Sequence, residues 1–456
     1  MIDKTWTSLF RNSFIASLMI ATMMCTCAKF SLEPVGQGLF YTGKIGTFNM
    51  VYDCGELNGP NKIVDLIKDY KNKLGNSKID MLIVSHLHWD HVCGFEELMR
   101  KTQVRYVFLP YLLPIQRLLL ALSESANANQ SYYNFLIDPV GYFVERSAEK
   151  VILIRGKEGG EDLGRFEPSD DGTPNESSGI DTEDLDDESI QLPDNDDLRK
   201  MVNENDPQLL GEKFKTHLSF KNHSGLVSLK HKWVFRFFAP PTNKNLKGLE
   251  ACVMKILPGT REIDYGTLRN ILSSKSDLDK LKICYENTFK RLNDTSLIVF
   301  HGPPKNISSF LCPSGSPTKI PMNYRFYPFK SSFESYDRFG WVLNGDVDFN
   351  KVLPAFLIHF SAYLDHMTHL LIPHHGSKGN WNSNIMSRVV NPSHWFVSFG
   401  LGNQYCQPNH DVISDIITKG NTVSICNETM RIDQYVFTGQ SCFVLKHDAY
   451  NGPVDI

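Results

Sequence analysis

A short segment has the residue types best suited to metal chemistry. Directly after the apolar run 79–84, three imidazoles and one carboxylate occur within six residues, at His86, His88, Asp90 and His91. Alternate side chains of an extended segment face one side, so we expect His86 and His88 to bind one ion. Asp90 and His91 follow as the chain turns and are in reach of a second ion. This donor set suits zinc, manganese or iron, which activate water for hydrolysis.

The surrounding sequence predicts the elements that position this segment. Residues 48–52 and 79–84 are short apolar runs typical of buried strands, and residues 62–74 have apolar side chains at helical spacing. Later apolar runs predict strands at 295–300, 341–343, 370–372 and 395–399. Strands that alternate with helices indicate a layered α/β architecture. With 456 residues, of which 41% are hydrophobic, the chain can bury a sizeable core.

Three other predicted strands end in polar motifs. Asp53, Asp346 and the pair His374-His375 each follow such a strand. Together with H-x-H-x-D-H after a strand, these motifs resemble those of the metallo-β-lactamase superfamily and occur in the order that it implies. The resemblance implies an α/β fold, the metallo-β-lactamase αββα sandwich, and a metal-dependent hydrolase.

The order of the motifs supports a narrower resemblance. G-Q-G, D-C-G, H-x-H-x-D-H, G-D, P-H-H-G-S-K and G-x-x-N-x-Y-x-x-P follow one another between residues 36 and 408. This order is similar to that of the hydrolase domain of the competence protein ComEC and its free-standing relatives, a group thought to act on DNA or other phosphodiesters. ComEC itself has many transmembrane spans, whereas this sequence predicts no transmembrane bundle.

The resemblance also implies ligands beyond the first segment. Asp346 would bridge two divalent ions, most simply two zinc ions, with manganese or iron as alternatives. One or both of His374 and His375 would bind metal, and Asp53 would support the site. The sequence thus predicts a two-metal centre assembled from both halves of the chain.

Catalytic roles follow from the same comparison. Asp90 would orient a metal-activated hydroxide or accept its proton, and Asp346 would hold the two ions around it. Lys378 or Asn403 would stabilise the charge that develops on a phosphoryl or acyl oxygen. A solvated surface position is the alternative for Lys378.

The sequence departs from the family pattern at one expected ligand. Relatives usually have histidine before the final proline of the last motif, where this chain has Gln407, a poor zinc ligand. His410 would replace it through a loop shift; otherwise the second ion is weakly bound or missing. We find no clear third histidine between the first segment and Asp346, because His301 at a strand end has the features of a structural residue.

The chain is predicted to be one metallo-β-lactamase domain with two insertions. Residues 30–155 form its first half and residues 213–456 its second half, with predicted helices at 114–128 and 134–150 as a helical insertion. Residues 156–212 are rich in Asp, Glu, Gly, Ser and Pro and have no periodicity. We expect this acidic insert to be disordered, because it cannot bury enough apolar surface to offset the entropy of ordering.

Charge is distributed unevenly along the chain. Residues 158–206 have 18 acidic and three basic side chains, so the rest of the chain has 44 basic and 33 acidic residues, a net charge of +11. A basic body favours anionic substrates, nucleic acid among them. Basic side chains spread over a solvated surface are the alternative interpretation.

The N-terminal segment, residues 1–29, leaves localisation open. Lys4 and Arg11 precede the apolar run 14–28, which resembles the apolar part of a signal peptide more than a membrane span of ~20 residues. Export or membrane anchoring through residues 14–28 and a cytoplasmic location both stay open. The ten cysteines show no disulfide framework in their spacing, so we expect them to be reduced.

Three functions are compatible with these patterns. The first is a phosphodiesterase or nuclease, which the narrower resemblance and the basic body favour. The second is a hydrolase of a small ester, amide or thioester. The third is a catalytically lapsed binding protein that keeps the fold, an interpretation motivated by Gln407.

Overall fold

A computed structural model describes most of the chain. Its described residues are 26–57, 60–124, 128–156, 185–229, 233–240, 246–288, 296–304, 309–312, 335–336, 338–390 and 392–438. Residues 1–25 of the N-terminal segment and residues 157–184 of the acidic insert lie outside them, so the expectations for these parts stay predictions. Within the described ranges, no helix is both long enough and apolar enough to cross a membrane.

The described residues form strands and helices that alternate along the chain. The strands are β1 Thr26–Leu32, β2 Tyr41–Ile45, β3 Phe48–Tyr52, β4 Ile79–Ile83, β5 Val104–Pro110, β6 Ala148–Ile154, β7 Ile190–Gln191, β8 Leu218–Lys221, β9 Leu226–Leu229, β10 Trp233–Phe238, β11 Ile298–Gly302, β12 Ser309–Cys312, β13 Ser335–Tyr336, β14 Trp341–Leu343, β15 His369–Leu371, β16 His394–Ser398, β17 Thr422–Cys426 and β18 Ile432–Thr438. The α-helices are α1 Pro60–Leu74, α2 Trp89–Val92, α3 Phe95–Met99, α4 Pro114–Ser123, α5 Gln130–Ile137, α6 Pro139–Val144, α7 Asp196–Asn205, α8 Lys247–Ile256, α9 Tyr265–Leu272, α10 Lys275–Thr288, α11 Phe349–His359 and α12 His410–Thr418. Short 3-10 helices lie at Pro207–Leu210, Glu212–Phe214, Leu364–His366, His374–Gly376, Lys378–Asn380 and Ser383–Ser387.

The strands form two mixed sheets. The first has the order β13-β12-β18-β1-β2-β3-β4-β5-β6-β8, and the second has the order β17-β16-β15-β14-β11-β10-β9-β7. Strands β3 to β6 are parallel to one another, and so are strands β14 to β17. Neighbouring parallel strands have their carboxyl ends at the same edge of the sheet. The residues that follow β3 and β4 therefore lie together, as do those that follow β14 and β15.

The two sheets are stacked with helices on both outer faces. Every residue of β4 is buried, because both faces of a central parallel strand are covered. Met81 and Ile83 face the core between the sheets, whereas Leu82 packs in the cluster on the other face of the first sheet. Phe356 of α11 and Ile416 of α12 belong to a third cluster, outside the second sheet. This arrangement confirms the predicted αββα sandwich.

A group of helices covers part of the first sheet's outer cluster. Helix α4 of the predicted insertion contacts α5, α9 and α10. A disulfide joins Cys252 of α8 to Cys284 of α10. The expectation of reduced cysteines is therefore wrong for this pair. The two residues are 32 positions apart on separate helices, so the local spacing of cysteines did not indicate the pairing.

The expectation of disorder is wrong for the described part of the acidic insert. Residues 185–212 include β7 and α7, and the side chains of Leu198, Val202 and Leu209 are buried in the core. Leu198 and Val202 are one helical turn apart, which places both on the buried face of α7. Because the segment as a whole is rich in acidic residues, its sequence pattern did not reveal this short amphipathic stretch.

A buried ion pair connects this segment to the helical insertion. A guanidinium nitrogen of Arg117 in α4 contacts Oδ1 of Asp206, and the hydroxyl of Tyr111 donates to Oδ2 of Asp206 over 2.7 Å. Arg117 also donates to the carbonyl oxygens of Leu136 and Ile137 over 2.9 and 2.7 Å. Because both charged side chains are buried, each needs the other as its counter-ion.

Replacing Asp206 by asparagine should destabilise the protein strongly. Asp206→Asn leaves the buried Arg117 charge unpaired, and we expect the free energy of unfolding to fall by about 3–5 kcal/mol in urea denaturation. The matched control is Glu149→Gln, which removes the charge from a half-exposed pair with Lys78 and should cost less than about 1 kcal/mol. Equal losses in the two variants would contradict the role of the buried pair.

Candidate metal centre

Loops at adjacent edges of the two sheets bring the predicted motifs together. Asp53 follows β3 and the histidine segment follows β4 in the first sheet. Asp346 follows β14 and His374 follows β15 in the second sheet. The carboxyl ends of these parallel strands meet, so one cluster receives side chains from both halves of the chain.

The carboxylate of Asp346 lies in the middle of this cluster. Its Oδ2 atom is 3.7 Å from Nε2 of His86 and 3.5 Å from Nε2 of His374. Its Oδ1 atom is 3.3 Å from Nε2 of His91. One carboxylate thus faces two different sets of imidazoles, which is the arrangement expected of a bridging ligand.

Asp90 and His375 complete the set on the Oδ1 side of Asp346. Oδ2 of Asp90 is 3.4 Å from Nε2 of His375 and 3.9 Å from Nε2 of His91. The potential ligand atoms of these four residues all lie within 4.8 Å of one another. Two imidazole nitrogens and two carboxylates at this spacing fit a divalent transition metal.

His88 lies beside His86. The two rings are buried and their centroids are 4.8 Å apart. Among the described residues, neither Nε2 of His86 nor Nδ1 of His88 has a hydrogen-bond partner. Burial lowers the pKa of both rings, that of His88 to about 4, so both are neutral at pH 7. A buried neutral nitrogen without a partner is costly, and a metal ion would satisfy both.

The second ring nitrogen of the other histidines is fixed by hydrogen bonds. Nδ1 of His375 lies 2.8 Å from the carbonyl oxygen of Ser398, which can only accept, so Nδ1 carries the proton. Nδ1 of His91 lies 2.8 Å from Oδ2 of Asp53 and donates in the same way. In both rings Nε2 keeps its lone pair and faces the cluster. Such supporting partners orient metal-binding imidazoles.

Asp53 and Ser85 orient His86 through a short chain of hydrogen bonds. The Ser85 hydroxyl donates to Oδ2 of Asp53, so its oxygen accepts from Nδ1 of His86 over 2.8 Å. The Ser85 backbone N–H donates to Oδ1 of Asp53 over 2.7 Å. Asp53, His86 and His91 are close enough to hold an ion by distance alone. These hydrogen bonds agree with a supporting role for Asp53, which stays a prediction.

Asn380 orients His374. Nδ1 of His374 lies 3.0 Å from Oδ1 of Asn380. The amide nitrogen of Asn380 donates to the carbonyl oxygens of Asp346 and Val347 over 3.1 and 3.3 Å, which fixes its orientation. Nδ1 of His374 therefore donates, and its Nε2 faces Oδ2 of Asp346.

Three site residues have a left-handed backbone conformation. Asp53, His374 and His375 have φ angles of 56°, 48° and 53°. For residues other than glycine this conformation costs of order 1–3 kcal/mol and persists only where the surroundings enforce it. The left-handed turn lets both His374 and His375 face the cluster, one on each side of Asp346. An extended strand end would aim them in opposite directions.

The cluster attracts positive charge. Burial raises the pKa of Asp346, but the adjacent His374 and His91 hold it well below its usual range. Burial lowers the pKa of His91, but Asp346, Asp90 and Asp53 raise it well above its usual value. Positive charge at Nε2 of His91, from either a proton or a bound metal ion, would partly balance carboxylates that would otherwise be buried as uncompensated anions.

The helical insertion supports the histidine segment from outside. The hydroxyl of Tyr132 in α5 donates to the carbonyl oxygen of Leu87 over 2.8 Å, and its ring contacts Trp89 edge to face. Sequence reasoning missed Tyr132, and it also missed the supporting residues Ser85, Asn380 and Ser398. Ser85 was adjacent to the motif, but nothing in the local pattern distinguished the other three.

Two predicted site residues lie outside the cluster, and these predictions are corrected. The side chain of Lys378 is 68% exposed, and its Nζ lies 2.5 Å from Oδ2 of Asp411. The side chain of His410 is 92% exposed at the start of α12. Side chains directed into solvent neither contact a buried substrate oxygen nor replace a buried ligand.

Asn403 and Gln407 hold a loop instead of contacting the cluster. The amide of Asn403 donates to the carbonyl oxygens of Gly400 and Gln407, both over 2.6 Å. Gln407 accepts from the amide of Gln37 over 2.8 Å. Both polar side chains therefore fix the loop 400–408, which is a structural role.

His301 has the structural role expected from its position. Its side chain is fully buried. Its Nε2 atom lies 3.0 Å from the Tyr41 hydroxyl, and its Nδ1 atom accepts a hydrogen bond from the Trp233 indole N–H over 3.3 Å. Burial lowers its pKa to about 3. It therefore belongs to the core between the sheets.

A comparison with protein families agrees with this geometry. A family model described as the metallo-beta-lactamase superfamily matches residues 38–179, which include the histidine segment. This part of the chain is thus similar to the metallo-beta-lactamase superfamily. Members of this superfamily are mostly metal-dependent hydrolases.

The comparison with individual proteins supports no further statement about the chain. Solved structures similar to the chain include the metallo-beta-lactamase fold protein YhfI from Bacillus subtilis, at 11% identity and a TM-score of 0.34. The alignment covers 89% of this chain and 99% of that chain, but a TM-score this low supports no argument. No curated protein matches the chain.

The two sets of ligands predict distinct metal stoichiometries. After loading with zinc and dialysis, we expect two ions per chain in the wild type, one in His375→Ala and fewer than one in Asp346→Ala, measured by mass spectrometry of the metal. Asp80→Asn is the control, because Asp80 accepts from the Asn49 backbone near the start of β4, at the end opposite the site. Unchanged metal content in both site variants would contradict the assignment.

Loss of a supporting residue should weaken metal binding without removing a ligand. Asn380→Ala frees the His374 ring to rotate, and we expect metal affinity to fall about 10- to 100-fold in competition titrations with a chelating dye. Asn350→Ala is the control, because Asn350 donates to the carbonyl oxygen of nearby Gly379 and has no contact with His374. Equal affinities in the two variants would rule out the orienting role.

Proposed function

We propose that this protein is a two-metal hydrolase that cleaves phosphodiesters. The observation that supports the proposal is the position of Asp346, whose two carboxylate oxygens face different potential ligands. His86 and His374 face one oxygen, with His88 beside His86, and His91 faces the other, with Asp90 and His375 close to it. Paired divalent ions occur in phosphatases, nucleases and polymerases, where they act on the attacking and leaving oxygens of an in-line displacement.

The protein's own residues would prepare the site in three ways. Bound divalent ions, with zinc, manganese and iron as candidates, would supply an activated water and stabilise the developing phosphoryl charge. Asp90, which stays ionised because His91 and His375 lower its pKa although burial opposes this, would accept a hydrogen bond from that water and orient it. The hydrogen bonds from His91 and His375 to Asp53 and Ser398 would keep the ligands in place during the reaction.

The geometry favours an enzyme over a lapsed binding protein. That alternative arose from Gln407, which replaces an expected ligand. In the structure, Gln407 contacts Gln37, while Asp90, His91, Asp346 and His375 have their potential ligand atoms within 4.8 Å of one another without it. The substitution therefore does not leave this set of potential ligands incomplete.

The choice of a phosphodiester as the substrate is the more specific part of the proposal. It is supported by the two-metal arrangement and by motifs that resemble those of the ComEC hydrolase domain, although the comparisons do not name that domain. An anionic substrate, nucleic acid among them, also agrees with the excess of basic residues outside the acidic insert.

A substrate panel tests the proposal. Wild-type protein loaded with zinc or manganese should cleave bis-p-nitrophenyl phosphate or single- or double-stranded DNA or RNA, and His88→Ala and Asp90→Ala should lose at least about 100-fold in kcat/KM. Chelation should abolish the activity and re-addition of metal should restore it. Asp80→Asn should keep wild-type activity. Turnover of p-nitrophenyl acetate or a β-lactam alone would contradict the phosphodiesterase proposal and favour the small-ester or amide alternative.

A further inference from the structure

The loop 400–408 is fixed against the metal centre. The backbone N–H of Asn409, just after the loop, donates to the carbonyl oxygen of Gly376 over 2.9 Å, next to the ligand His375. A Cβ atom on Gly376 would come within 2.6 Å of Pro408, so loop and ligand turn are in close contact. On the other side, the amide oxygen of Gln37 accepts from the backbone N–H of Gly400 over 3.1 Å. The loop is therefore a rigid border of the site.

Tyr405 lies on this border with its side chain exposed. Its relative exposure is 62%, although its backbone N–H is held by the side chain of Asn403 over 3.1 Å. Partial burial and then the charges of Asp90 and Glu124 raise the pKa of its phenol. Because Pro408 and Asn409, three and four residues further along, contact the turn of His375, the loop places this ring beside the metal centre. The backbone of Tyr405 is thus held by a hydrogen bond, whereas its ring is exposed beside the site.

We propose that Tyr405 is a substrate-binding residue whose ring stacks on the nucleobase of a nucleotide bound at the metal centre. This inference rests on the proposed phosphodiesterase function and names the planar part of its substrate. A ring that packs in the core would be buried, whereas this ring is exposed on a fixed loop beside the ligands. Among the described residues no hydrogen bond of its hydroxyl is found, so the aromatic face is the feature offered to a ligand.

Binding measurements on the full-length, metal-loaded chain test this inference. Isothermal titration calorimetry with adenosine monophosphate and ribose 5-phosphate separates the base from the sugar phosphate. Since base–aromatic stacking contributes about 5- to 150-fold in affinity, wild type should prefer the nucleotide by this factor, and Tyr405→Ala should lose the preference. Tyr405→Phe should keep it, and ribose 5-phosphate should bind all variants within about 2-fold of wild type.

Leu401→Ala is the matched control. Leu401 is on the same loop with 61% exposure, but its side chain is aliphatic and offers no ring for stacking. It should keep the preference for the nucleotide. The inference is overturned if wild type shows no preference, including no binding of either ligand, or if Tyr405→Ala weakens both ligands equally. It is also overturned if Leu401→Ala loses as much preference as Tyr405→Ala.

The two proposals fail in distinguishable ways. Preference for the nucleotide without turnover of any phosphodiester overturns the proposed function and leaves the stacking residue supported. Phosphodiester turnover with equal binding of adenosine monophosphate and ribose 5-phosphate overturns the stacking residue alone. Circular dichroism and metal content of each variant show that the fold and the ligands are intact.

Discussion

The arrangement of the site depends on neutralising buried carboxylates. Asp53, Asp90 and Asp346 are close to one another at the junction of the two sheets, where water cannot screen their charges. Burying ionised carboxylates is costly unless cations or hydrogen-bond donors compensate them. The imidazoles compensate part of the negative charge of these carboxylates, and in our proposal two divalent ions compensate the remainder. The need for compensation explains why these residue types occur together.

The fold keeps the two halves of the site in register through contacts between the sheets. The hydroxyl of Tyr52, the residue before Asp53, lies 3.1 and 3.2 Å from the carbonyl oxygens of Leu297 and Leu343. Leu343 ends the strand that precedes Asp346. A single side chain therefore ties the end of β3 to the end of β14. Because the core on both sides is tightly filled with buried side chains, the distance between the ligand sets is set by packing.

Much of the fold, and most of the residues that the structure brings together in the cluster, could be predicted from the sequence. Apolar runs identified β4 and the strands near the site, because buried strands require apolar side chains on both faces. Local motifs identified His86, Asp346 and His375, because ligands at strand ends leave a compact pattern. The supporting residues Asn380 and Tyr132 left none, since their partners are distant in sequence and only the folded chain brings them together.

The error about His410 comes from the assumption that a ligand must lie where the family pattern places it. His410 was proposed to replace a missing histidine at Gln407, but it begins a surface helix and its side chain is in solvent. The left-handed turn at His374 and His375 instead lets two consecutive histidines serve opposite sides of Asp346. Gln407 is then free to hold the loop through Gln37. Whether the second proposed site is complete is therefore decided by backbone conformation, which residue type alone does not reveal.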